Sequence, residues 1–264
     1  MKKILQYRLH VVLAAILLTL SSFPVIGLRE IMVALAMGMA AAWVYLFNKT
    51  TDLVEDNINT ASHPIDVNHR KTLCKIALAC LAIPALWLWQ MPKIFAVYLV
   101  FGGLLGFLYS YPIKIGEQRY RLKNIFLIKN ITPALSWTGC TCLPVYFLYP
   151  HFPQVILLRQ AISVFLVMTC VEIIWDIRDV EGDTHAGVQT LPNTIGIPAA
   201  KAVILLIFAL YCFVSHYMSP PLVLAQAANI LIIIFATKTR PYWYFHLIVF
   251  IWVIYNSVIL MQKI

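Results

Sequence analysis

Four acidic residues, Glu172, Asp176, Asp179 and Asp183, follow one another at spacings of 4, 3 and 4, which puts them on one stripe of an α-helix. Like charges stacked this way repel, so the stripe calls for a cation or a cationic partner. A second set has the same character. Asn48, Asp52 and Asp56 recur at i, i+4 and i+8, with Glu55 beside them.

Both sets stand where a long apolar run meets a polar segment. Ionisable residues at membrane depth are costly and are kept for a purpose. Oxygen donors without Cys or His favour a hard cation, and Mg²⁺ is characteristically held by a few carboxylates together with substrate phosphates. A diphosphate ester would complete such a site.

Composition sets the frame for these residues. Of 264 residues, 61% are hydrophobic and 12% charged, and the mean hydropathy is +0.82. A soluble domain is excluded by these values. The net charge of +9 comes from cations scattered singly between apolar runs, without the basic stripe of a nucleic-acid-binding surface. Six cysteines include Cys140 and Cys142 but no CxxC pair, a pattern of helix packing rather than redox or zinc chemistry. The opening Met1-Lys2-Lys3 imitates a secretory leader, yet no small-residue cleavage site follows, so the first apolar run is read as a membrane helix.

At about 20 apolar residues per crossing, the chain divides into nine candidate spans, near 9–28, 30–50, 72–90, 93–111, 124–147, 154–176, 199–216, 220–237 and 242–262. With a cytoplasmic N-terminus, fifteen Lys and Arg fall on the cytoplasmic side, against Arg29, Lys93, Arg159 and Lys263 opposite and Lys129 inside the fifth span. The positive-inside rule favours that orientation. Every acidic residue except Glu30 then shares the cytoplasmic face, and the second and sixth spans both end there in acidic stripes. The polar connections 49–71, 112–123 and 177–198 lie on the same face, where loops would build the site. No second domain is visible, so residues 1–264 are read as one unit.

These residues carry a resemblance. Asn48-x-x-x-Asp52-x-x-x-Asp56, with Asp176-Ile177-Arg178-Asp179-Val180-Glu181-Gly182-Asp183 and Gly187-Val188-Gln189-Thr190-Leu191-Pro192, resembles the two aspartate-rich signatures of the UbiA superfamily of intramembrane prenyltransferases. The resemblance implies an all-α, polytopic membrane helix bundle of about nine transmembrane helices around a central lipid-open cavity. It also implies Mg²⁺-dependent ionisation of a prenyl diphosphate and capture of the allylic cation by an acceptor: an aromatic or quinone precursor, a tetrapyrrole or a lipid. Asn48, Asp52, Asp56, Asp176, Asp179 and Asp183 become the metal ligands, with Asp52, Asp56, Asp179 and Asp183 catalytic and Glu55 and Glu172 beside them. Lys114 becomes a diphosphate ligand with Tyr109 or Tyr111, and Lys123, Arg119, Arg121 and Arg178 are further candidates. An integral, multi-pass protein of an inner membrane with its site on the cytoplasmic side is expected.

Two features depart from the family pattern. Lys49 stands where a second Asp usually follows the Asn, and Asn59-Thr60-Ala61-Ser62-His63-Pro64 replaces an Arg-rich stretch common among members that prenylate aromatic acids. The second departure favours a terpene cyclase, in which a double bond of the same chain attacks the cation. His63, His69 and His185 are polar loop residues or proton acceptors. A cation or lipid transporter is the rival from another class, opposed by the confinement of the acids to one face. The available Trp, Phe and Leu residues would hold an isoprenoid tail at about 0.8 kcal/mol per buried CH₂.

Overall fold

The computed structural model describes residues 8–59, 67–87, 93–116, 118–215 and 220–263; the notable stretch 60–66, with His63, lies outside them. Its helices are α1 (Leu9–Ser22), α2 (Leu28–Thr51), α3 (Leu53–Asn59), α4 (Val67–Trp87), α5 (Lys93–Ser110), α6 (Ile128–Leu148), α7 (Gln154–His185), α8 (Leu191–Ile195), α9 (Ile197–Val214), α10 (Pro220–Phe235) and α11 (Leu247–Met261). Nine of them correspond to the nine apolar runs of the sequence; α3 and α8 are short connecting helices. A small antiparallel hairpin, β1 (Ile113–Ile115) and β2 (Gln118–Tyr120), pairs Lys114 with Arg119.

The helices are apolar inside and outside. Ile174, Ile204, Phe208 and Phe245 fill the core, whereas Leu206, Phe213 and Leu224 point outward and are more than two-thirds exposed. Outward apolar surface on this scale fits lipid, not water. By length and composition Leu28–Thr51, Gln154–His185, Ile197–Val214 and Tyr242–Met261 can cross a bilayer, and Leu9–Ser22, Val97–Ser110 and Leu222–Phe235 are shorter apolar helices.

Two prolines shape α6. Proline has no N–H, so Pro133 and Pro144 leave the carbonyls of Lys129 and Cys140 without their helical donors. Side chains of neighbouring helices take over: the Tyr109 hydroxyl donates to Lys129 O at 3.1 Å, and the Thr19 hydroxyl donates to Cys140 O at 3.4 Å. These bonds tie α6 to α5 on one face of the bundle and to α1 towards the other.

Two elements differ from their sequence boundaries. α7 does not stop near 176 but runs to His185, so the whole acidic motif is helical. The polar residues 177–185 belong to a helix that extends beyond the apolar zone, which hydropathy alone scores as a loop. In the other motif the helix breaks at Asp52 (φ −94°, ψ 33°) and restarts as α3. The bonds Asp52 N–H to Asn48 O (3.0 Å) and Asp56 N–H to Asp52 O (2.8 Å) persist across the break, so the i, i+4, i+8 relation survives.

Candidate active site

The acidic motifs open onto one cavity of about 320 Å³. α2 and α3 bring Asn48, Asp52, Glu55 and Asp56, and α7 brings Glu172, Asp176, Asp179 and Asp183. Between them stand five cations, Arg8, Lys49, Lys123, Lys129 and Arg178. Seven carboxylates therefore face five fixed positive charges.

The cations are distributed among the carboxylates. Lys123, buried on the turn Leu122–Asn124, contacts Asp52 and lies 3.3 Å from Glu55, and Arg121 reaches Glu55 at 2.7 Å and Asp52 at 3.3 Å. Lys49 donates to Asp56 at 2.7 Å. Lys129 bridges Asp176 at 2.8 Å and Asp183 at 2.5 Å, and Asn130 donates to Asp176 at 2.7 Å. Arg178 grips Asp179 through two nitrogens, Nε at 2.6 Å and Nη2. The Ser110 hydroxyl donates to Asn48 Oδ1 at 2.8 Å. Burial of Glu55 opposes its ionisation, but Lys123, a backbone hydrogen bond and Arg121 outweigh it and hold this carboxyl below its ordinary 4.5.

Arg8 differs from the others. It is only 7% exposed, and its Nε and Nη1 have no hydrogen-bond partner. Its guanidinium lies over the Trp175 ring, 4.8 Å from the centroid, while Arg178 lies 4.9 Å over Tyr242. Arg8 and Leu127 are the non-glycine residues with left-handed backbones among those described, at φ 56° and 65°. Arg8 is itself in the cavity and Leu127 begins the helix that carries Lys129, and such conformations are characteristically kept where placement matters. Behind Arg178, its Nη1 lies 3.5 Å from His246 Nε2. An arginine only donates, so Nε2 accepts, and Nδ1–H of His246 donates to His10 Nε2 at 2.9 Å.

Of the residues proposed from sequence, Asn48, Asp52, Asp56, Asp176, Asp179, Asp183, Lys123, Arg178 and Tyr109 line the cavity. Tyr109 has its hydroxyl hydrogen committed to Lys129 O. Lys114 and Tyr111 do not line it. α5 ends at Ser110, the chain turns into the hairpin, Lys114 is exposed on β1, and Tyr111 stacks on Phe107 with 47% of its surface exposed. Lys129, Arg8 and Lys49 are the cations found in their place. Sequence reading scored Arg8 as a topology signal and left Lys129 inside an apolar span.

Away from its charged mouth the cavity is apolar. Trp43, Tyr98, Leu99, Phe101, Leu135 and Trp137 line it, and Phe101 and Leu135 are also 63% and 55% exposed on the outer surface. The wall between α5 and α6 thus faces both the cavity and the lipid-facing side.

Clustered oxygen donors, with seven carboxylates against six cations once Arg121 is counted, suit a hard divalent cation. Among the described residues, however, no three of His, Cys, Asp and Glu already stand together at metal-binding spacing, because each cluster is held by ammonium or guanidinium groups. A metal would enter by exchanging with those contacts.

A helical membrane bundle enclosing a charged mouth and an apolar chamber defines an intramembrane enzyme scaffold for an amphipathic anionic substrate. The chain belongs to the UbiA prenyltransferase family, whose profile matches residues 9–263, and it is accordingly an integral membrane protein. Among curated proteins none matches it by sequence. Among solved structures it is similar to a UbiA homologue from Archaeoglobus fulgidus bound to DMAPP and Mg²⁺, with a TM-score of 0.64 and 15% identity over 99% of each chain. It is also similar to the apo UbiA homologue from Aeropyrum pernix K1 (TM-score 0.57, 17% identity, 97% of each chain). A digeranylgeranylglyceryl phosphate synthase matches at TM-score 0.54 and 15% identity, over 97% of this chain and 92% of that one. At these identities the likeness is one of fold.

Proposed function

We propose that this protein is a Mg²⁺-dependent prenyltransferase that ionises a prenyl diphosphate at the cytoplasmic face of an inner membrane and transfers the allylic group to a hydrophobic or aromatic acceptor. The observation that carries the reading is the meeting of two carboxylate clusters, from α2–α3 and from α7, at the mouth of an apolar chamber. The Archaeoglobus homologue bound to GPP and Mg²⁺ supports it.

Asn48, Asp52 and Asp56 would hold one Mg²⁺, and Asp176, Asp179 and Asp183 another. Bound there, Mg²⁺ would supply the positive charge that makes diphosphate a good leaving group. Lys123 and Lys129, released from their carboxylates, turn to the diphosphate oxygens, and Arg8 offers them its unused N–H groups. Charge developing on the leaving oxygens is stabilised by donors already fixed in position. The hydrocarbon tail lies against the aromatic wall that includes Trp43 and Trp137. Water is kept from the allylic cation by the same wall.

The test is to incubate purified protein with Mg²⁺ and prenyl diphosphates of ten to twenty carbons, first alone and then with aromatic, tetrapyrrole or lipid acceptors. Asp52→Ala and Asp183→Ala serve as controls. Prenylated acceptor, lost in both controls, is the expected result. Cyclised terpenes formed without acceptor would assign the cation to intramolecular capture instead. No turnover of any diphosphate in any mixture would remove the reading.

A further inference from the structure

A second cavity, of about 420 Å³, lies towards the end of the bundle opposite the charged mouth. It is lined by Leu18 and Ser21 near the end of α1, by residues from Ile156 to Met168 at the start of α7, and by residues from Trp252 to Ile259 near the end of α11. The reaction mouth takes the other ends of two of these helices, at Arg8 and Asp183. Ile156 is also 52% exposed on the outer surface, so the chamber reaches that surface there.

Its walls are mostly apolar, with Leu18, Val164, Val167 and Met168 among them. From Ile156 to Met168 is twelve residues, about 18 Å of helix at 1.5 Å each. At about 30 Å³ for a water-sized group, the volume suits about fourteen methylenes. That is one long hydrocarbon chain. An apolar chamber does not recruit ordered water, and the phase around the outward-facing leucines and phenylalanines is lipid.

The charge is confined to one place. Among the described residues of the lining, Arg159 is the one charged side chain, and no carboxylate accompanies it. It is half-buried in the second turn of α7, where the positive end of the helix dipole adds to its field. The reaction cavity is built differently, with seven carboxylates that can share a divalent metal with a diphosphate. A single guanidinium instead matches a head group of one negative charge, whose two phosphate oxygens fit its fork. Basic pockets between membrane helices bind anionic lipid head groups in this way. Trp252, also in the lining and 8% exposed, has an indole N–H without an acceptor in the protein. The carbonyl of an acyl ester is an acceptor for it.

We propose that this chamber binds one acyl chain of an anionic phospholipid from the leaflet opposite the reaction mouth, with the phosphodiester on Arg159. The site is independent of the prenyl diphosphate reading.

Native mass spectrometry of the full chain in detergent, titrated with phosphatidylglycerol or with phosphatidylcholine of the same chain length, tests it. The wild type should retain one phosphatidylglycerol at least about tenfold more tightly than phosphatidylcholine, the worth of a hydrogen bond to a charged group. Arg159→Gln should lose that preference, and Arg159→Lys should keep part of it. Val167→Trp, which fills the chamber and leaves Arg159 in place, should weaken both lipids alike. Neither residue lines the reaction cavity, and the half-buried Arg159 gives an arm that does not depend on how Val167→Trp folds.

Equal retention of the two lipids by the wild type would overturn the proposal. So would an unchanged preference in Arg159→Gln, or undiminished binding in Val167→Trp, which would put the chain on the outer surface. Displacement of the bound lipid by an equal concentration of farnesyl phosphate would also overturn it, in favour of an isoprenoid occupant.

Discussion

Lys129 occupies the position in this site where one charge does most to hold others together. It stands between Asp176 and Asp183 at 2.8 and 2.5 Å, and its removal leaves two buried carboxylates without their common counter-ion. Lys129→Gln should therefore cost about 3–5 kcal/mol, read as a lowered melting temperature in detergent. Mg²⁺ should restore stability to this variant more than it stabilises the wild type, because the divalent ion takes over the ammonium's position; equal Mg²⁺ effects would contradict the assignment of Asp176 and Asp183 as ligands. Glu55 gives a pH test. Its carboxyl is held below 4.5, so its stabilising effect is complete above that value and is lost as pH falls through the depressed one. Glu55→Gln should be less stable than the wild type by about 1–3 kcal/mol at neutral pH, and the gap should narrow in thermal melts as pH is taken progressively below the ordinary 4.5. The acids themselves were legible in the sequence because helical spacing is regular. The cations were not: Lys129 and Arg8 are single charges at the ends of apolar runs, indistinguishable from topology signals until folding places them beside carboxylates distant in the chain.

At the scale of elements, the site depends on how α3 meets α7. The backbone N–H of Gly182 donates to Asn59 Oδ1 at 2.9 Å, and a Cβ at position 182 would stand 2.5 Å from the Asn59 amide nitrogen. Glycine matters there through close approach rather than backbone conformation, because a methyl group would force the Asn59 amide to move. Gly182→Ala should push α3 away from α7, separate the two aspartate clusters and raise the Mg²⁺ concentration needed for half-maximal turnover, at a stability cost of about 1–3 kcal/mol. Asn59→Ala removes the obstructing amide, so the double variant should be less impaired than the two single effects added together. Simple additivity would show that the contact does not set the spacing. The motif's Gly182 was visible in the sequence, but its partner Asn59 was not, because no local pattern connects residues 123 positions apart. Similarly, the hairpin that carries Lys114 out of the cavity follows a helix end that hydropathy placed only approximately.

For the molecule as a whole, the nine apolar runs became nine helices among the described residues, and the side of the membrane is the remaining expectation. Thr239→Cys, in the loop between α10 and α11, and His151→Cys, between α6 and α7, should be labelled by an impermeant thiol reagent from opposite sides in a cysteine-free background. Position 239 should be cytoplasmic; labelling of both from one side would refute the threading. The cavity's extent could not be read from the chain, since apolar periodicity does not distinguish a helix face that lines a chamber from one that touches lipid.

The first and last of these long helices are also joined side by side. Ser21 donates to Asn256 at 2.6 Å, Lys263 donates to the Ser21 and Phe23 carbonyls at 2.6 and 2.8 Å, and His10 meets His246. During synthesis α1 enters the bilayer before α11 and must wait for it before its polar groups find these partners. The reaction chamber, lined by residues from Arg8 to Asp183, needs none of α9 to α11, so it can take shape at the ribosome before the contacts between α1 and α11 close the bundle around it.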